Sequence, residues 1–303
     1  MALRDWIMVA ALGIAWGAAF VFNAILLREV GPLSVSFLRI ALGALTCWVW
    51  VLATGRHVPW GPVLLWQVLF LGAANYAIPF AVYPIAQQYV TSAVAGIVNA
   101  TMPIAVVIVS HFWPGGERAT PAKSLGIVFG FAGIVVLMLP ALRGGRQNEV
   151  WAILFMLIAP FCYAVAMNYL RRFRGIDPAV VVAMALTGGA VAIAPVMLAV
   201  EGVPVIRSAG GAAALAALGV VLTGIAFILM YALVVRVGAT NASVVTFIAP
   251  VSAVLLGNAL LGDAILPAHL LGMAVIFCGL LVLDGRLLRS LGRVLPPDRQ
   301  PKG

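Results

Sequence analysis

Two stretches of this 303-residue chain, ERATPAKSLGIVFGFAG at 117–133 and DAILPAHLLGMAVIFCG at 263–279, carry the same landmarks 146 positions apart. Each opens on an acid (Glu117, Asp263) and reaches a proline four residues later (Pro121, Pro267). Two glycines seven residues apart then follow on an apolar run, Gly126 and Gly133 in one copy, Gly272 and Gly279 in the other. Outward from this pair the echo continues. Trp6 and Asn23 recur as Trp151 and Asn168 at an offset of 145, and Pro103 recurs as Pro250 at 147. A repeat of fixed period decides architecture before any local propensity does. Each copy holds five apolar stretches near the ~20 residues that a helix needs to cross a bilayer. An odd number of crossings makes the second copy enter from the opposite face, the inverted-repeat plan in which a solute site lies between the halves.

Composition agrees. The chain is 64% hydrophobic and 9% charged, with a mean hydropathy of +1.14, far outside the range of soluble domains. The predicted fold is an all-α membrane protein of ten transmembrane helices, at 6–27, 33–54, 61–86, 91–113, 122–139, 150–170, 179–199, 210–235, 241–260 and 267–287. Residues 1–142 form the first five-helix repeat, 149–288 the second, and 289–303 a basic tail expected to be disordered in the cytoplasm. The loops between spans are too short for a soluble domain.

The net charge of +9 reads as a topology signal. With the N-terminus inside, cytoplasmic segments hold 13 of the lysines and arginines and outer loops hold 4. That bias orients both termini to the cytoplasm. No basic helix stands free of the apolar spans, which argues against nucleic acid as a partner. The expected partners are the lipid bilayer and a small-molecule solute; the oligomeric state stays open, and a monomer suffices. The first span is not a cleaved leader, since only Arg4 precedes a long apolar run. Cys47, Cys162 and Cys278 lie far apart within spans, as small packing residues rather than a disulfide or metal set.

Enzymatic chemistry lacks its parts. No HExxH, GxSxG, P-loop or pair of membrane aspartates occurs, so neither intramembrane proteolysis nor self-contained ATP-driven pumping is expected. No cofactor and no metal are expected. All nine acids fall in loops or at span ends, whereas proton-coupled pumps usually carry a carboxylate inside the membrane.

Polar and aromatic residues at mid-span mark a candidate lumen, because an unpaired polar group in hydrocarbon costs a few kcal/mol and must face protein or water. They are Trp16, Phe20 and Asn23 in span 1, Tyr76, Tyr83 and Gln87 in span 3, and Asn99 in span 4. Tyr163 and Asn168 lie in span 6, Tyr231 in span 8 and Thr246 in span 9. Neutral polar groups mixed with rings suit small amphipathic solutes better than bare ions or phosphates, which want cationic clamps. Pro103 and Pro250 each remove a helix hydrogen bond and are candidate hinges. Arg39, the only basic residue well inside a span, has two readings. It snorkels or pairs with Glu29, or it is a counter-ion for a substrate carboxylate or a structural tie to backbone carbonyls.

Ala15-Trp16-Gly17-Ala18-Ala19-Phe20, Phe37-Leu38-Arg39 and the block from Tyr231 to Leu283, with its Ile-Ala-Pro250 and its Gly-Asp263 turn, resemble the ten-helix EamA-type branch of the drug/metabolite transporter superfamily. Asp263 stands where glutamate is more usual. The resemblance implies ten helices in two inverted repeats, with spans 5 and 10 at the periphery, exporting amino acids or related metabolites across the inner membrane by alternating access. Within the family the chain is most similar to YddG-type exporters of aromatic and other amino acids. The alternatives are an exporter of another solute class, such as drugs, nucleosides or sugar derivatives, and a non-transporting assembly partner.

Overall fold

A computed structural model describes residues 2–284, and all of its regular structure is helical. The basic tail expected at 289–303 lies outside the described residues, as do the last four positions of the second repeat. Among the described residues, eight helices are long and apolar enough to span a membrane: α1 (Leu3–Leu26), α2 (Pro32–Ala53), α3 (Pro62–Ala86), α4 (Ser92–Phe112), α5 (Lys123–Arg143), α6 (Gln147–Phe173), α7 (Pro178–Val200) and α8 (Ala209–Val237). Two shorter apolar helices, α9 (Val245–Leu261) and α10 (Pro267–Asp284), complete the set. The expected spans agree within a few residues. Large apolar side chains cover the outside, with Trp66 73% exposed; that surface suits lipid, not water.

The helices that build the centre are the irregular ones. α3 widens to π-helix over Ala73–Ala77, just ahead of Pro79, whose ring clashes with the carbonyl four residues back. α8 widens likewise over Ala217–Ile225, about 146 residues further on. α4 breaks at Ala100 and Thr101 into Ser92–Asn99 and Met102–Phe112, where Pro103 removes its ladder bond. Its counterpart Pro250 behaves differently. It sits inside a continuous α9, and the chain breaks earlier, between a short turn of helix at Ala239–Ala242 and Val245.

The two opening stretches pack on each other. A Cβ built on Gly126 meets the Gly279 carbonyl oxygen at 2.8 Å, and one on Gly279 meets that of Gly126 at 2.7 Å. Gly133 and Gly272 answer each other in the same way at 2.8 and 2.9 Å. The glycine stripes therefore form an α5–α10 seam within the chain, where backbone meets backbone. α1 packs on α9 and α6 on α4; α2 packs on α8 and α7 on α3; α2 meets α7, and α4 meets α9. Adding or subtracting five from each helix number turns this set of pairs into itself.

Capping between helices fixes the two ends of the bundle. At one end, Glu29 accepts hydrogen bonds from Ser208 and Arg207 at the start of α8. At the same end, Glu201 accepts from the Leu33 and Ser34 N–H groups at the start of α2, at 2.9 and 2.8 Å. At the other end Arg56 pairs with Asp177, and Arg236 with Asp5.

Candidate functional site

A cavity of about 140 Å³ lies among α1, α2, α3, α4, α6 and α8. That is roughly ten times the ~10–15 Å³ one water requires. Its lining is Trp16, Ala19 and Phe20 from α1, Arg39 from α2, Asn75, Phe80 and Tyr83 from α3, Asn99 and Met102 from α4, Tyr163 from α6 and Phe227 from α8. Rings supply most of the wall. Trp16 and Phe227 have centroids 5.8 Å apart, and Phe20 meets Tyr83 edge-on at 5.1 Å.

Arg39 is buried, with 7% of its surface exposed, and its guanidinium carbon lies 3.7 Å from the Phe80 ring centroid. Its Nε donates to Thr223 Oγ1 at 2.9 Å. Thr223 in turn donates to the Leu218 carbonyl oxygen, five residues back, at 2.8 Å. That bond belongs to the widened stretch of α8, so the π-helix presents the hydroxyl that orients the guanidinium. Among the described residues no carboxylate pairs with Arg39: Glu29, the partner expected from sequence, is engaged by Ser208. Its two terminal nitrogens have no partner among the described residues and are not sealed off, so they face the cavity. The pairing and snorkelling reading is thereby corrected.

Above the cavity, towards Glu29, the bundle is closed. Gln87 Nε2 donates to the Phe20 carbonyl oxygen at 2.8 Å and to Ser92 Oγ at 3.3 Å, and Asn23 Nδ2 donates to Gln87 Oε1 at 3.2 Å. Tyr83 Oη donates to Asn99 Oδ1 at 2.9 Å across the same gap. Asp263 accepts from the Ser92 N–H at 3.0 Å, tying the α9–α10 turn to the start of α4. Burial pushes the Asp263 carboxyl above its usual range, against these backbone bonds. Below the break in α4 the packing loosens. Ser92–Val98 are all buried, whereas Met102, Pro103 and Val106–Val109 are half-buried, as is every residue of α8 from Phe227 to Ala232.

The structure brings Trp16, Phe20, Tyr83, Asn99, Tyr163 and Arg39 to one cavity. It places the other candidates elsewhere. Tyr76 is buried behind the wall against Phe80 and Phe227. Asn23 and Gln87 form the closure. Asn168 bonds Ser110 and the Ala164 carbonyl in the α4–α6 seam. Tyr231 lies under Arg56 at 5.9 Å, towards the far end. Thr246 Oγ1 donates to the Ser243 carbonyl oxygen. Sequence reading missed Ala19, Asn75, Phe80, Met102, Phe227 and the supporting Thr223. Only Asn75 and Thr223 carry a polarity that could have drawn notice.

The profile of the EamA-like transporter family matches the chain twice, over residues 5–139 and 150–283. The chain belongs to the EamA-like transporter family. It is thus a multi-pass membrane transporter for a small-molecule solute. Among its EamA-like relatives, an uncharacterized transporter of Archaeoglobus fulgidus is 24% identical over 286 residues, covering 93% of this chain and 99% of that one. The uncharacterized inner membrane transporter YedA of Escherichia coli is 27% identical, covering 95% of this chain and 93% of that protein. Protein PecM of Dickeya dadantii is 24% identical, covering 99% and 98%. Among solved structures, a crystal structure is similar with a TM-score of 0.65 at 25% identity, over 95% of this chain and 99% of that one.

Proposed function

We propose that this EamA-family transporter exports amino acids, aromatic and other small amphipathic ones, or related carboxylate metabolites, across the inner membrane by alternating access. The observation that carries the proposal is Arg39. Its guanidinium is fixed from behind by Thr223 and Phe80, and its free terminal nitrogens are turned into a ring-lined chamber. A planar fork of donors suits a carboxylate, and the rings suit the apolar remainder of such a solute.

In this reading residues 1–142 and 149–288 are two inverted repeats, supported by the pairing set that maps onto itself. Both termini and the tail at 289–303 lie in the cytoplasm, in keeping with the charge bias. The Gln87 closure then faces outward, and the looser half below Met102 faces the cytoplasm. The break at Pro103 lets the lower part of α4 move against the upper, with Pro250 as its partner in α9. Purified protein in liposomes tests the proposal: labelled amino acids should cross, and no flux for any of the twenty would contradict the amino-acid version.

A further inference from the structure

We infer that the cavity selects solutes carrying one net negative charge, namely amphipathic carboxylates whose amine is absent or acylated, ahead of zwitterionic amino acids. The inference rests on the reading of Arg39 as the carboxylate partner and narrows it. The balance of charge in the cavity carries it. Among the described residues, Arg39 is the sole charged residue of the lining, and no acid lines the chamber. Among the described residues, the acids are engaged at the ends of the bundle. They pair with basic residues, as Asp5 does with Arg236 and Asp177 with Arg56. Otherwise they bind N-terminal N–H groups of another helix, as Glu29, Glu201 and Asp263 do.

A carboxylate entering this chamber meets two unengaged guanidinium nitrogens and leaves a neutral pair behind. A zwitterion brings the same carboxylate and an ammonium as well. That ammonium must give up water, and a desolvated charge needs an opposite partner to compensate. The walls offer ring faces, whose pull on a cation is weaker than a full charge. They also hold a second cation, Arg39 itself, in the same small space, and like charges oppose each other there. An acylated amine avoids both costs, because its N–H is neutral and needs only an amide oxygen such as that of Asn75. The closed Gln87 end supplies no free anion either, since its groups are amides, a hydroxyl and carbonyls, and the nearby Asp263 is engaged by the Ser92 N–H.

The test uses full-length protein in liposomes, with uptake of labelled N-acetylphenylalanine. Unlabelled phenylalanine, 3-phenylpropionate and phenethylamine serve as competitors that share one ring. The expected result is competition by 3-phenylpropionate at a concentration at least about tenfold below that needed for phenylalanine, a difference well within one unpaired charge. Phenethylamine should not compete. The preference should collapse in Arg39→Gln and persist, weakened, in Arg39→Lys. Should Arg39→Gln fail to assemble, the ranking on the unaltered protein decides alone. Phenylalanine competing as well as or better than 3-phenylpropionate would overturn the charge selection while leaving carboxylate transport standing. Failure of every carboxylate to move, or preference for phenethylamine, would overturn the underlying assignment of Arg39 as well.

Discussion

Arg39 Nε donates to Thr223 Oγ1 at 2.9 Å, joining α2 to the widened turn of α8 across 184 residues of sequence. The bond holds a buried guanidinium by its inner nitrogen and leaves the outer two for the cavity. Thr223→Val keeps the shape, removes the acceptor and leaves Nε unpaired. A lost hydrogen bond to a buried charged group costs on the order of 2 kcal/mol. Apparent solute affinity should therefore fall by roughly tenfold or more, while Thr223→Ser restores it. Equal affinity in the valine variant would remove Thr223 from this positioning role.

Close backbone approach makes Gly72 intolerant. A Cβ there would lie 2.3 Å from both the Ala185 carbonyl oxygen and the Gly189 nitrogen of α7. Neither atom can move without shifting a helix, so Gly72→Ala should destabilise by about 1–3 kcal/mol through overpacking. Gly61→Ala, where nothing lies within 4 Å, should leave the melting temperature unchanged. Similar melting of both variants in detergent would refute the α3–α7 contact.

Gln87 ties α3 to the Phe20 carbonyl and to Ser92 at the closed end. Gln87→Ala strands the Asn23 amide, which already has an unsatisfied buried oxygen. Each stranded buried polar group costs ~1–3 kcal/mol, relieved when water enters. A cysteine in place of the cavity-lining Ala19 should react several-fold faster in this variant than in a chain that keeps Gln87, with an impermeant thiol reagent added from the Glu29 side. Unchanged reactivity would show that the closure does not depend on Gln87.

Much of this was legible in the sequence, and the remainder has physical reasons. The opening glycine pairs were legible as landmarks of the repeat, and the structure adds that they meet backbone to backbone across α5 and α10, which only glycine permits. Trp16, Tyr83, Asn99 and Tyr163 stood out as polar or amphipathic groups in hydrocarbon. That same criterion also selected Asn168 and Gln87, since hydrogen-bonding a neighbouring helix satisfies an amide as well as a lumen does. Phe80 and Phe227 were invisible, because a phenylalanine facing a cavity and one facing lipid look alike. The π-helical stretches in α3 and α8 also shift the helical phase, so extrapolated facing fails beyond Ala73 and Ala217.

Glu29 sets a pH dependence outside the spans. The Ser208 hydroxyl, then the Ser208 and Arg207 N–H groups, hold its carboxyl below its ordinary value of 4.5. A depressed folded value means that the stabilisation is present above the ordinary value and lost as pH falls through the folded one. Thermal stability of the unaltered protein should drop as pH is lowered below 4.5, and Glu29→Gln should show a shallower drop. Parallel curves would mean that Glu29 contributes nothing to the linkage.

The most direct measurement places a single cysteine at Met102, in a chain whose Cys47, Cys162 and Cys278 are alanine. Right-side-out and inside-out vesicles are then treated with an impermeant maleimide, with and without a transported carboxylate. A chamber opened alternately to the two sides predicts labelling from both faces, faster from the face bearing Arg56 and Asp177, with the balance moved by the solute. Labelling from neither face, or from one face regardless of solute, would contradict it.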